Sequence, residues 1–379
     1  MDYKYSIEKF LEHKGWKKSK CRWCNTDFFY KKYNNSCGSF NCEGGYKFLN
    51  YPSRKDFLET GIIRKIIKKN FEKIHFFEEN PILIKRNNER TLFASAAGQI
   101  YDKLIYEREH FEDILRKIVF QPVIRLQDHE QIADLEGISS SFITAGSEIW
   151  NSPIKEHHQS LDKWFDIFSE LGILVSNFNL KYKPDINYWQ DKKVPSESLK
   201  INYRGLEIGI ANFFYDINIT NKKTTFSDIN IGLERLAWAI NKTDSYFDSI
   251  GPIECILTCT QEKIDALRTL TLMAAAGVVP GTKNHGQKFR ILSQKLSTPL
   301  DIFPFYELVD YYYNQWSQYI DLTYDNKRTL KIILTEVERM KKQSLIDKYK
   351  LNIDFKKDFT EMLKNQKLLR RIRGKTRWD

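Results

Sequence analysis

A chain of 379 residues with 41% hydrophobic and 14% aromatic content is long enough for two or three domains with real cores, which excludes global disorder. Sixty Lys+Arg against 49 Asp+Glu leave a net charge of +11, a surplus that favours polyanionic partners such as nucleic acid. No apolar run reaches the ~18 residues that cross a bilayer, the opening residues are amphipathic, and six Cys are too few for a disulfide scaffold, so a cytoplasmic chain with no membrane partner is expected.

Residues 1–52 begin with a short helical pattern, Ile7, Phe10 and Leu11, and run into a Cys- and Gly-rich stretch. Too small to fold around an apolar core of its own, this segment needs a metal or the neighbouring domain. Cys21 and Cys24, then Cys37 and Cys42 after twelve intervening residues, place two thiol pairs on turn-rich backbone. Four thiolates at that spacing predict a tetrahedral, structural Zn²⁺; the alternative is a reduced, metal-free cluster. Cys255 and Cys259 read as buried small apolar side chains.

Residues 53–249 have an α+β pattern. Helical stretches at 53–69, 96–117 and 160–171 alternate with β-rich runs at 74–77, 81–86, 120–127, 141–146 and 199–217. The end of the last run and Thr224–Ile231 read as an antiparallel hairpin across Asn221-Lys222-Lys223, followed by a helix at 232–241. Strands without regular βαβ alternation predict an antiparallel sheet with helices packed on it. Trp164, Phe165 and Phe168 lie on a helical period and read as core, whereas His157 and His158, in a polar stretch after Pro153, read as exposed loop residues.

Residues 250–348 turn helical, with periodic segments at 262–276, 286–296, 305–319 and 327–348. Residues 349–379 form a basic tail in which Arg370, Arg371, Arg373, Lys375 and Arg377 stand beside Trp378. Such a group can hold phosphates and stack on a base, or simply be a solvated tail.

Two arginines stand out in the mixed region. Arg125 follows Phe120-Gln121-Pro122 on a strand, and Arg235 closes Asp228-Ile229-Asn230-Ile231-Gly232-Leu233-Glu234-Arg235 where a helix begins. Guanidinium forks presented in this way can clamp the phosphates of ATP and neutralise charge that develops during transfer.

With these residues in view the chain resembles the N-terminal half of an archaeal-type alanyl-tRNA synthetase, a class II enzyme. FLEHKGWKKSKCRWCNTDFFY and SCGSFNCEGGYKFLNYP resemble that family's zinc-bearing segment, and RTLFASAAGQ with QPVIRLQD the stretch that leads into motif 2. LKINYRGLEIGIANFFYD resembles the strand of the amino-acid site, DINIGLERLAW motif 3, and AAGVVPGTKNHGQKFR the helical tRNA-recognition region. The resemblance covers roughly residues 5–345. It implies an α+β fold with a class II antiparallel sheet followed by a helical domain, amino-acid activation by ATP and Mg²⁺, and transfer to tRNA. By position it implies that Arg125 holds the ATP α-phosphate and Arg235 the γ-phosphate, with Asp128, Phe142 and Gly232 also at the nucleotide. Asp228 would pair with the substrate ammonium, beside Asn230, Trp189 and Glu207. Arg290 and Lys295, with Arg370 and Arg371 of the tail, are the expected RNA contacts.

The departures bear on chemistry. Glu136-Gly137-Ile138 stand where the family has Gly-Arg-His, and Ile143 where it has Glu, so an arginine and a carboxylate expected near ATP are missing. Residues 189–198 replace a glycine-rich loop, leaving Trp189 as the one plausible wall, and Asn230 replaces a glycine that leaves room for the alanine methyl. Gln294-Lys295 stand in place of an arginine pair. The sequence reading is therefore a truncated, editing-free, monomeric ligase for a small amino acid. Its rivals are a paralogue with a non-tRNA acceptor, such as a carrier protein or small molecule, and an inactive RNA-binding module.

Overall fold

The computed structural model describes residues 6–85, 91–106, 113–127, 129–132, 134–189, 192–217, 223–251, 260–296 and 305–349. Asp128, Cys255, Cys259, Arg370 and Arg371 lie outside them. Helix α1 (Ile7–His13) is capped by Ser6, whose Oγ accepts from the Lys9 N–H, and buries Ile7 and Leu11. The hairpin β1 (Lys17–Lys20) and β2 (Asp27–Tyr30) follows, then the short α2 (Phe40–Glu43) and α3 (Thr60–Glu72). Ile63, Ile67 and Phe71 form the buried stripe of α3 at four-residue spacing.

The remaining strands are β3 (Phe77–Glu78), β4 (Leu115–Ile124), β5 (Ser141–Trp150), β6 (Phe178–Trp189), β7 (Lys192–Tyr203), β8 (Leu206–Phe214) and β9 (Phe226–Gly232). They form one sheet in the order β1-β2-β6-β7-β8-β9-β5-β4-β3. Every pairing is antiparallel except β3 with β4. Helix α4 (Asp102–Tyr106) precedes β4, α5 (Ile154–Glu170) packs on the sheet, and α6 (Leu233–Asn241) continues directly from β9. The α5 stripe buries Leu161, Trp164, Phe165 and Phe168, as its period predicts. Helices α7 (Gln261–Ala275), α8 (Asn284–Lys295), α9 (Phe305–Trp316) and α10 (Asn326–Tyr349) form the helical region. An antiparallel sheet with flanking helices, followed by helices, is the fold the sequence implies.

Several local expectations are corrected. Of the helix expected over 96–117, the described residues form a 3₁₀ turn at Ala97–Tyr101 and α4, residues 107–112 lie outside them, and Leu115 already belongs to β4. Among the described residues of the β-rich run 81–86, which end at Lys85, there is one bridge, Ile84 to Phe93, and no strand. The long run 199–217 is broken at Arg204-Gly205, whose φ angles of +47° and +98° make a two-residue hairpin turn. The segment 192–198 is strand rather than loop and pairs with β6. His157 and His158 are not exposed loop residues: α5 begins at Ile154, His157 is fully buried with Nδ1 2.8 Å from Ser227 Oγ, and His158 stacks on Phe10. Arg116 fixes that helix start through two 2.8 Å bonds to Glu156.

Candidate active-site cleft

The cleft lies at the end of the central strands. β4 carries the chain to Arg125, β5 returns from it, and β9 hands over to α6, so residues from motifs far apart in the chain meet. A cavity of about 200 Å³ is lined by Arg125, Phe142, Glu207, Asn230, Gly232 and Arg235, among others. Six of the residues singled out from sequence are thus brought to one place.

Arg125 lies with its guanidinium 5.2 Å from the Phe142 ring centre and donates to the Ser95 carbonyl through Nε at 3.2 Å and through Nη2. Arg235 donates from Nε to the Gly137 carbonyl at 2.9 Å and from Nη1 to the Glu207 carbonyl at 3.0 Å. Gly137 has φ +77°, and a Cβ there would meet the Trp238 ring and the Tyr46 hydroxyl. The residue that replaces the family's arginine therefore has a backbone task. Glu136 beside it accepts from the Tyr246 N–H at 2.8 Å and from Gln261 at 2.8 Å, and so ties the loop to a following turn. Ile143 is buried in the core, so its lack of a carboxyl changes the layer behind the cleft rather than the cleft wall.

Asp228 sits behind Asn230, outside the cleft lining. It accepts from Asn212 Nδ2 at 3.1 Å and from Asn230 Nδ2. Burial pushes its carboxyl up, opposed by hydrogen bonds from Glu148, Asn212 and Asn230 and by the charge of Arg125. Glu148, its register partner on β5, is fully buried and held well above the usual carboxylate range by burial and by Asp228. The upward push is thus stronger at Glu148, whose ionisation Asp228 disfavours. Sequence reading missed Glu148, because a glutamate in a strand reads as solvated; only the register reveals its neighbour. Asn230 Oδ1 accepts from the Ala97 N–H at 3.0 Å and from Thr144 Oγ1 at 3.2 Å, and its Nδ2 lies 3.3 Å from Glu148 Oε1.

Glu207 pairs with Lys200 at 2.8 Å. Trp189 ends β6, and its side chain lies outside the described ones. Of the expected RNA contacts, Arg290 pairs with Glu336 at 3.3 Å and Lys295 donates to the His129 carbonyl at 2.8 Å. From the cleft lining inward, a buried ion pair that sequence reading did not find joins Glu234 to Arg268 at 2.7 Å, while Glu234 also accepts the Ile143 N–H at 2.9 Å.

The four cysteines form a second site. Their sulfurs lie within 4.8 Å of one another, and Cys24 and Cys37 are 3.7 Å apart. A tetrahedron with Zn–S bonds of ~2.3 Å has edges of ~3.8 Å, so the donor set fits Zn²⁺. Burial pushes the Cys37 thiol up to about 12; at Cys24 burial pushes the same way, but hydrogen bonds from Thr26 bring it down to about 6.

Sequence comparison decides the kinship. The alanine--tRNA ligase of Ignicoccus hospitalis is 23% identical over 66% of this chain, and that of Methanothermobacter thermautotrophicus 24% identical over 67%. The chain is a divergent, alanyl-tRNA synthetase-like N-terminal region. Its match spans 28% and 29% of those two relatives. No protein-family model matches it. Among solved structures, a pyrrolysyl tRNA synthetase of Desulfitobacterium hafniense aligns with a TM-score of 0.37 at 13% identity, over 53% of this chain and 74% of that one. No helix among the described residues is long and apolar enough to cross a membrane.

Proposed function

We propose that this synthetase-like ligase activates a small amino acid with ATP and transfers it to the 3′ end of tRNA. One observation carries the reading: Arg125 and Arg235, from opposite sides of the sheet's centre, line a single cleft with the Phe142 ring. In the first step an amino-acid carboxylate oxygen attacks the α-phosphorus, the bond to the β-phosphate oxygen breaks, and pyrophosphate leaves. Arg125 would stabilise charge growing on the α-phosphate, and Arg235 would hold the γ-phosphate of the departing group. Phe142 offers its face to the base, and Gly232 lets the backbone come close to the nucleotide. Mg²⁺ bound with ATP would neutralise the phosphate oxygens. Asp228 would attract the substrate ammonium from behind Asn230, and Asn230 would limit the space beside it. In the second step a ribose hydroxyl attacks the acyl carbon and AMP leaves.

A specific observation favours a second acceptor class. Arg290 and Lys295 are engaged within the protein, with Glu336 and His129, so two cations expected to meet RNA already have partners. A carrier protein or small molecule as acceptor is the alternative. Amino-acid-dependent ATP–pyrophosphate exchange, run over a panel of amino acids, tests the first step. Its absence for all of them would leave a non-catalytic module. Acid-labile labelling of bulk tRNA tests the second, and active exchange without label selects the other acceptor.

A further inference from the structure

A groove of about 570 Å³ opens between the Cys-bearing segment and the β7–β8 turn, apart from the cleft. Its walls combine two tyrosines, three cations and several carboxamides. Tyr33 is 80% exposed, and Tyr51 is 44% exposed with the Arg204 guanidinium stacked 4.4 Å from its ring centre. Arg204 is fixed there: Nη1 donates to Tyr51 Oη at 2.6 Å and Nη2 to Asn177 Oδ1 at 2.9 Å. Lys32 and Lys47 add charge against the one carboxylate in the lining, Glu43, which accepts from Asn34. Asn50 and Asn179 supply further amide edges.

The cysteine cluster continues this surface. The Arg22 N–H bonds the Asn35 carbonyl at 2.9 Å, one residue from the groove wall. The neighbouring Trp23 is 67% exposed, with the Arg22 guanidinium 5.7 Å from its ring centre. Aromatic faces left in water are unfavourable for a free surface, yet here Tyr51 and Trp23 lie beside guanidinium groups and Tyr33 shares the groove lining with Lys32. Stacking platforms interleaved with guanidinium and ammonium groups, and carboxamides able to read base edges, suit unpaired nucleotides, whose faces and edges are accessible, and not a duplex, whose bases are stacked away.

We infer that this groove binds single-stranded RNA, with a base on Tyr33 and phosphates near Lys32 and Arg204. Arg204 of the β7–β8 turn lines the groove and Glu207, three residues on in β8, lines the cleft, so a strand held here would lie beside the place of transfer. The inference shares an RNA partner with the proposed function but does not require adenylation.

The test titrates the 379-residue, zinc-replete chain with a fluorescein-labelled, unstructured ten-nucleotide RNA by anisotropy, at several salt concentrations, against a duplex of the same length. Because the basic tail also carries cations, dependence on Tyr33 is the readout rather than overall affinity. Tyr33→Ala should weaken single-strand binding about tenfold and Tyr33→Phe should restore it. Lys32→Ala should lower the salt slope by about one. Unchanged affinity in Tyr33→Ala, or a duplex bound as tightly as the single strand, overturns the inference. Zinc content and thermal midpoint, both expected at wild-type values because Tyr33 is exposed, show that the variant is folded. If pyrophosphate exchange is absent while Tyr33-dependent RNA binding persists, the adenylation reading falls and this one stands; normal exchange with no Tyr33 effect gives the reverse.

Discussion

Arg235 rests on two backbone carbonyls, those of Gly137 and Glu207, and so reaches the cleft already oriented. Little ordering remains when a phosphate arrives, which is the condition for effective charge stabilisation. Arg235→Ala should lower kcat for pyrophosphate exchange by ~10²–10³ with little change in unfolding midpoint; near-normal turnover would place the phosphates elsewhere. Glu148 makes a different prediction. Its folded-state pKa lies above the unfolded value, so the native state binds the extra proton and stability falls as pH rises from ~4.3 towards the folded pKa. Glu148→Gln imitates the protonated acid. It should stay within about 1 kcal/mol of wild type at acidic pH and flatten that fall, measured by urea unfolding across pH. Motif 3 was legible because Arg235 and Asp228 belong to one short run, whereas Glu148 matters only through a cross-strand neighbour eighty residues away.

At the scale of elements, α7 clamps the start of β5. Arg268 bonds Glu234 and the Ser141 carbonyl and stacks 4.4 Å from the Trp316 ring centre, while Asp265 accepts the Ser140 N–H at 2.7 Å. Arg268→Ala would strand the buried Glu234 carboxylate and should cost ~3–5 kcal/mol in unfolding free energy; a loss below 1 kcal/mol would show the pair to be dispensable. The joint of α5 and β9 responds to acid. Burial brings the His157 pKa down to about 3, with the neighbouring His158 adding to the effect. Between the unfolded value of ~6.5 and that folded value the unfolded chain takes up a proton that the native chain refuses, so stability falls with pH by up to ~1.4 kcal/mol per unit. His157→Asn should reduce that slope in denaturant titrations at pH 7, 6 and 5. The sequence showed the α5 stripe through its large side chains. It hid the first turn, because two histidines and a glutamate look polar until one faces Ser227 and another grips Arg116.

For the whole molecule, the Cys-bearing segment is an extension of the sheet. β2 pairs with β6 through Phe28, Phe29 and Tyr30, and Glu197 on β7 accepts the Ile7 N–H at 3.3 Å as well as the hydroxyls of Tyr182 and Tyr215. Elemental analysis should find one zinc per chain in the wild type and none in Cys37→Ser. Amide exchange in that variant should rise in residues 20–45 and stay slow in β8 and β9; unchanged zinc content would remove the metal assignment. The need of this segment for a metal or a neighbour was legible from its size. Which strand it joins was not, since the alternation of Phe178, Leu180 and Tyr182 with Asn179, Lys181 and Lys183 is short and is followed by Pro184 and Asp185 rather than by an apolar run. The docking of β2 is short, covering Asn179 to Lys181, so among the described residues the farther part of β6 has no strand on its outer side. That open flank invites a second copy to add itself there and propagate into aggregates. The exposed Lys183 and Pro184 on it act as gatekeepers: one resists like-charged company, and the other offers no amide to an incoming chain.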